Sequence, residues 1–172
     1  MAPFIALVVV TSVLLLIGAF GVRRLKSLPV ALRGGLAFMF VLTGGAHFIG
    51  LREELIAMVP PALPAPGLLV TVTGVLELLG AVGLLWSRTA GWSAAGLTAM
   101  LVAMFPANVH KALNGPVPWD DQLVPRTLMQ VVFLAATVTV AWHHLRRTRP
   151  GRSGQPAPGG APPRSRQAPA ST

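Results

Sequence analysis

Glu77 is the residue of this sequence whose type and position most clearly point to chemistry. It lies roughly midway along 67–86, a stretch that otherwise contains no charged side chain. A carboxylate at the centre of a membrane span is costly, so an acid there marks a functional site or a buried contact. Because loss of water disfavours the charged form, we expect Glu77 to be largely protonated at neutral pH. A proton, quinone or ligand contact and a structural interhelical hydrogen bond both stay open for this carboxyl.

The neighbours of Glu77 at helical spacing are small. Residues three and four positions apart lie on one face of a helix, and small side chains on such a face let a second helix approach closely. We therefore expect helix packing around the acid at Thr73, Gly74 and Gly80.

Further polar side chains gather toward one half of the other apolar stretches. These are His47, Asn108, His110, Arg126 and Gln130. Thr43 and Gly44 share a helix face with His47, which follows them by four and three positions. Our hypothesis is that these side chains converge with Glu77 on one pocket open to the outside. The alternative is that each histidine is an interfacial or hydrogen-bonded residue with no ligand.

The sequence carries no standard catalytic signature. It has no cysteine, which excludes a thiolate nucleophile and a cysteine-ligated metal or cluster within the chain. Phosphate-binding, dinucleotide-binding, nucleophile-elbow and zinc-protease motifs are also absent from it. Haem held by His47 and His110 is chemically possible, but we do not expect it, and we predict no metal site. The sequence names no catalytic residue and leans toward a role other than that of an enzyme.

The composition is that of a membrane protein. Of the 172 residues, 53% are hydrophobic and 11% charged, and the mean hydropathy is +0.65. Apolar stretches cover 2–22, 34–50, 67–86, 89–105 and 127–142. A helix needs roughly 17 to 25 apolar residues to cross the hydrocarbon core, so the last stretch reaches that length only if its helix extends further. We predict an all-α transmembrane bundle of five spans.

The basic residues predict the orientation of these spans. With the N-terminus outside, the cytoplasmic segments hold eleven basic residues: Arg23, Arg24, Lys26, Arg33, Arg88 and the six arginines of 146–172. The outer connections then sum to −1, from Arg52, Lys111 and Arg126 against Glu53, Glu54, Asp120 and Asp121. Because Lys and Arg are retained in the cytoplasm, we predict N-out and C-in. A cleaved signal peptide is the alternative for the first stretch, but its basic residues follow the apolar run instead of preceding it.

The segment 146–172 differs from the rest of the chain. It contains six prolines, four glycines and no aromatic residue, a composition that predicts disorder. Without aromatic side chains it lacks the stacking platforms of proteins that bind single-stranded nucleic acid. The formal net charge of +9 therefore predicts an orientation signal next to a lipid bilayer and no nucleic-acid partner.

Four short motifs give the chain a resemblance to a known family. They are Gly44-Gly-Ala-His-Phe48, Met58-Val-Pro-Pro61, Thr73-Gly-Val-Leu-Glu-Leu-Leu-Gly80 and Phe105-Pro-Ala-Asn-Val-His110. Together they resemble the DoxX and DoxX-like family of small bacterial integral membrane proteins. The resemblance implies a four-helix membrane domain over 33–145, to which this chain adds an N-terminal span in 1–32 and the tail 146–172. It further implies a plasma (inner) membrane location and a polar site at His47, Glu77, Asn108 and Gln130.

One member of that family is the small subunit of a thiosulfate:quinone oxidoreductase. By this resemblance we expect an accessory membrane subunit of a quinone-linked redox system, with quinone as the cofactor to consider and an oxidoreductase subunit as partner. Two other functions stay open. One is a proton-linked carrier of small molecules that acts as a homo-oligomer, and the other is a membrane assembly or stress-tolerance factor.

Overall fold

The computed structural model describes residues 1–114, 118–119 and 122–148. Within these ranges the chain is helical and contains no strand. The helices are α1 (Ala2–Phe20), α2 (Leu28–Ala46), α3 (Arg52–Met58), α4 (Pro66–Leu85), α5 (Ala90–Leu113) and α6 (Leu123–Thr148), with a 3-10 turn at Arg23–Lys26. All but α3 are long and apolar enough to cross a membrane. This confirms the predicted all-α bundle with five helices of spanning length.

The long helices extend beyond the apolar stretches that predicted them. Helix α5 continues through Pro106 to Leu113, and α6 adds a turn at each end of the stretch 127–142. Proline lies in the first turn of α1, α2 and α4, where its missing N–H costs no helical hydrogen bond. The last two spans therefore reach full length by including polar residues at their ends.

Four helices form a closed ring, and the fifth long helix lies outside it. In the ring α2 packs against α4 and α6, and α5 packs against the same two helices, whereas α1 packs on α2. Ring neighbours that follow each other along the chain run antiparallel. The ring encloses a core that includes Leu36, Phe40, Leu84, Leu97 and Val140. The packing thus separates a four-helix unit from α1.

Helix α1 approaches α2 closely because glycine lines the contact. A Cβ added to Gly35 would meet the hydroxyl of Thr11, and one added to Gly34 would meet the Leu14 side chain. In hydrocarbon, where apolar side chains gain nothing by leaving lipid, such small-residue contacts hold helices together. We conclude that α1 is fitted to α2 by shape.

The bundle has two ends of different charge. The α3 end carries the C-termini of α2 and α5, the N-termini of α4 and α6, and the short helix α3. The arginine end is opposite, and its described basic residues are Arg23, Arg24, Lys26, Arg33, Arg88, Arg146 and Arg147. Asp120, Asp121 and the tail from residue 149 onward, on which the sequence predictions also rest, lie outside the described residues.

Candidate functional site

The acid of α4 is paired across the bundle with α2. The Thr43 hydroxyl donates a hydrogen bond of 2.6 Å to Oε2 of Glu77, whose side chain is only 4% exposed. Helix α2 ends three residues after Thr43, whereas the antiparallel helix α4 begins eleven residues before Glu77, so α4 extends beyond the end of α2. Glu77 therefore lies well inside the bundle with its partner supplied by the neighbouring helix.

His47 lies one turn beyond Thr43 on the same face of α2. Its Nδ1 is 2.8 Å from the Thr43 carbonyl oxygen, and its side chain is 3% exposed. The space for the imidazole is created by Gly74, because a Cβ at that position would lie 2.5 Å from the Cβ of His47. Gly74 and Glu77 are three residues apart on α4, so the imidazole and the carboxyl occupy adjacent levels of one helix contact. We call Thr43, His47 and Glu77 the Glu77 cluster.

Gly44 allows the two helices of the cluster to approach each other. A Cβ on Gly44 would lie 3.1 Å from the Cβ of Glu77 and 3.0 Å from the Leu78 side chain. Small residues on both helices, Gly44 on α2 and Gly74 on α4, bring the polar groups within hydrogen-bonding range. This is why Thr43 can reach a carboxyl that belongs to another helix.

Arg52 ties the outer side of the cluster to α3. Its Nη1 donates to the His47 carbonyl oxygen at 3.1 Å, and its Nη2 donates to Thr71 Oγ1 at 3.0 Å and to the Gly67 carbonyl at 3.3 Å. The His47 carbonyl is at the C-terminus of α2, where helical carbonyls lack internal partners and favour a nearby cation. From the sequence, Arg52 is predicted only as a charge in an outer connection. Its signal was the position of a cation directly after the end of an apolar stretch.

A second contact holds α3 to α5. Lys111 forms an ion pair and hydrogen bond with Glu54. With Arg52 joining α2 and α4, the short helix is fastened to three of the four ring helices. These contacts hold the chain between residues 46 and 66 against the end of the four-helix ring.

The remaining polar residues form separate contacts between α5 and α6. Arg126 Nη1 donates to Asn108 Oδ1 at 2.8 Å, and Gln130 Nε2 donates to the Leu101 carbonyl oxygen at 2.6 Å. Pro106 has no N–H to offer the carbonyl of Val102, which lies four residues before it and next to Leu101. Gln130 thus supplies a donor beside a stretch of helix that the proline deprives of one.

Three further predicted site residues are not brought to Glu77. His110 lies near the C-terminus of α5, and its buried Nδ1 has no hydrogen-bond partner among the residues that the structure describes. Thr73 donates to carbonyls of its own helix at 2.9 and 3.1 Å. Gly80 faces α5, where an added Cβ would lie 2.6 Å from the Leu97 side chain. Gly80 thus serves helix packing on a different side of α4 from Gly74.

The structure divides the predicted site into two groups. One is the Glu77 cluster between α2 and α4, and the other is formed by Asn108, Arg126 and Gln130 between α5 and α6. Two surface grooves, of about 510 and 390 Å³, lie between α5 and α6 at the arginine end and along α1. Neither groove is lined by a member of either group. The described contacts of both groups are hydrogen bonds and close helix packing.

The chemistry available to the Glu77 cluster is proton exchange and hydrogen bonding. A carboxyl and an imidazole can each accept or release a proton, and a hydroxyl can donate and accept. Within the described ranges, no group of three or more His, Cys, Asp or Glu is placed to hold a metal ion. The tight contacts at Gly44 and Gly74 leave no space between the helices for a quinone ring at Glu77. We therefore assign no step at Glu77 to a bound quinone.

Comparison with known proteins identifies a family for the chain but assigns it no activity. No curated protein and no solved structure gives a significant match to the chain. A family model matches residues 36–141, from the first half of α2 to the last part of α6, so it takes in the four-helix ring and leaves α1 outside. On this match the chain belongs to the family described as Domain of unknown function (DUF8561).

Proposed function

We propose that this protein is an accessory integral membrane subunit of a quinone-linked redox system and that Glu77 is its proton-exchanging group. The observation that carries the proposal is the burial of a hydrogen-bonded carboxyl, one turn from a buried imidazole, in a helix of spanning length. Ionisable groups at such depth are expensive and usually serve proton or ligand chemistry. The quinone and the electron-transfer groups belong to the partner in this account.

The redox part of the proposal is supported by the resemblance to the DoxX family. The resemblance extends to function by analogy with the family. Motifs that carry the resemblance lie on both helices of the Glu77 cluster and on the chain that follows α3.

We propose the plasma membrane of a bacterium as the location, with the N-terminus outside and the arginine end in the cytoplasm. Basic residues crowd the arginine end, and the positive-inside rule places such an end in the cytoplasm. Exposed Trp86, Trp92 and Trp142 lie at the same end, in keeping with the preference of indole rings for the membrane interface. Reporter fusions at residue 28 and at the C-terminus test this orientation. A periplasmic signal at residue 28 would contradict it.

The function is tested by purification of the full chain from its native membrane in a mild detergent. We expect an oxidoreductase subunit and quinone to copurify with the wild type. Glu77→Gln should leave this assembly intact and lower its quinone-linked activity. Glu53→Gln is the matched control, because it removes an exposed carboxyl in α3 by the same chemical change. A monodisperse protein without quinone or oxidoreductase would count against the proposal.

A second candidate function is that of a membrane assembly or stress-tolerance factor. The observation that favours it is the close packing of α2 on α4, in which the polar groups of the Glu77 cluster bond to each other. In that case the cluster only specifies which helices pair. Glu77→Gln would then reduce folding and leave no separate loss of activity in the molecules that fold.

A further inference from the structure

A groove at the arginine end lies between α5 and α6, on the side of the molecule where the two helices face the surroundings. Its volume is about 510 Å³, within the usual range of small-molecule sites, roughly 300 to 1,000 Å³. The lining residues are Ala95, Thr98, Val138, Ala141, Trp142, Leu145 and Arg146. None of them takes part in the contacts around Glu77.

The wall of the groove is apolar along its length. Its small residues on α5, Ala95 and Thr98, form a trough against the larger side chains of α6. The Thr98 hydroxyl donates to the Ala94 carbonyl of its own helix at 2.8 Å, so it presents no unsatisfied polar atom to the groove. Val138 and Trp142 are 50% and 59% exposed, which leaves the trough open at the side. This surface suits a hydrocarbon chain.

The mouth of the groove is cationic. The Arg146 guanidinium lies 3.7 Å from the centre of the Trp142 ring, a cation–π contact that holds it at the rim. Arg146 has no carboxylate partner among the residues the structure describes, and Arg147 follows it at the end of α6. A guanidinium so placed keeps its N–H donors for a phosphate, whose geometry it matches.

The spacing of these features matches a phospholipid in its leaflet. Tryptophan and arginine at a helix end lie at the level of the lipid headgroups. From Arg146 the groove runs down to Val138, about 12 Å along the helix at ~1.5 Å per residue, toward the middle of the membrane. A second copy of the chain is a poorer occupant, because it would bring the same cations into contact. Basic pockets between membrane helices commonly take anionic headgroups.

We propose that this groove is a binding site for an anionic phospholipid, with an acyl chain lying between α5 and α6 and the phosphate on Arg146. The positive charge selects anionic over zwitterionic lipid. The trough fixes the chain in one position and distinguishes the site from general attraction to a charged surface.

The test uses the full chain in nanodiscs of phosphatidylcholine with increasing phosphatidylglycerol, and native mass spectrometry counts the lipid that stays bound. We expect the wild type to retain phosphatidylglycerol preferentially. Arg146→Gln should weaken this retention roughly fivefold, because the loss of one cation near an anionic membrane surface weakens binding by about that factor. Ala95→Leu should weaken it by filling the trough while all charges stay in place. Arg23→Gln and Gly96→Leu are the controls, because Arg23 is an exposed cation at the same end and Gly96 is an exposed position of α5 where a Cβ would meet nothing within 4 Å; both should have no effect.

Three results would overturn the proposal. An equal loss in Arg23→Gln and Arg146→Gln would mean general charge attraction, and full retention in Ala95→Leu would place the acyl chain elsewhere. Displacement of the lipid by soluble glycerol phosphate would mean that only the headgroup is bound. If Ala95→Leu fails to fold, a phosphatidylglycerol with a photoreactive acyl chain gives the same information on the wild type. Its crosslinks should fall on α5 and α6, and crosslinks confined to α1 would contradict the site.

Discussion

The hydroxyl of Thr43 donates a 2.6 Å hydrogen bond to Oε2 of Glu77, so the buried acid of α4 receives its partner from α2. The same residue of α2 offers its carbonyl oxygen to His47. Thr43 thus connects the two ionisable groups of the cluster, one through its side chain and one through its backbone. We therefore expect the loss of the Thr43 hydroxyl to destabilise the cluster.

Thr43→Val should destabilise the folded bundle by about 1 to 3 kcal/mol, because it leaves a buried polar group without its donor. Thr43→Ser keeps the hydroxyl and should restore most of the loss. The free energy of unfolding in mixed detergent and SDS measures both. Thr73→Val is the control, because the Thr73 hydroxyl bonds only within its own helix. Equal losses at positions 43 and 73 would contradict the assigned pairing.

Gly74→Ala should also destabilise the protein, by roughly 1 to 3 kcal/mol, because the new methyl group would overlap the His47 side chain. Gly45→Ala is the matched control, since a Cβ at Gly45 meets nothing within 4 Å. At that helical position alanine should be neutral or stabilise by about 0.4 to 1 kcal/mol. The free energy of unfolding in mixed detergent and SDS measures both variants. A Gly74→Ala protein as stable as Gly45→Ala would show that His47 does not fill this space.

Arg52→Gln should release α3 without unfolding the bundle. The variant loses the bonds to the His47 carbonyl and Thr71, while the contact between Glu54 and Lys111 is retained. Hydrogen exchange should therefore rise in residues 51–65 and stay unchanged in the core of α2. Arg24→Gln, which removes an exposed cation at the opposite end, should have neither effect. Unchanged exchange in α3 would contradict the anchoring role of Arg52.

Asn108 and Arg126 should show a favourable coupling of about 0.5 to 3 kcal/mol in a double-mutant cycle, as contacting polar residues do. The cycle uses Asn108→Ala, Arg126→Gln and the double variant. Asn108→Ala combined with Thr43→Val should lower the free energy of unfolding by the sum of the two single losses, because the structure places these residues in separate groups. Strong coupling between positions 43 and 108 would instead favour the single pocket on which the sequence predicts these side chains to converge.

Hydrophobic patterning was sufficient to predict the five long helices, because each carries an apolar stretch near membrane length. It did not predict α3, whose seven residues are too few and too charged to show such a stretch. The available signal was the pair Glu53 and Glu54, acids that favour the first turn of a helix. Patterning also missed the full length of α6, because Arg126 and His143 interrupt the apolar run at either end.

The candidate site was predictable in part. Thr43 and His47 share a helix face by spacing alone, and Glu77 stands out by its charge. The pairing of Thr43 with Glu77 was not predictable, since it depends on which helices are neighbours and at what level they meet. Packing of α2 against α4 decides this, through Gly44 and Gly74. Arg126 was expected to converge with Glu77 on one pocket, and its described hydrogen bond is to Asn108.

The most direct test of the proposed function is the quinone-linked activity of the natively purified assembly with Glu77→Gln, relative to wild type and to Glu53→Gln. Both variants should retain the oxidoreductase partner. Glu77→Gln alone should lower the activity, because a glutamine amide cannot exchange a proton as a carboxyl does. Copurification of the partner with undiminished activity in Glu77→Gln would contradict the role assigned to this carboxyl.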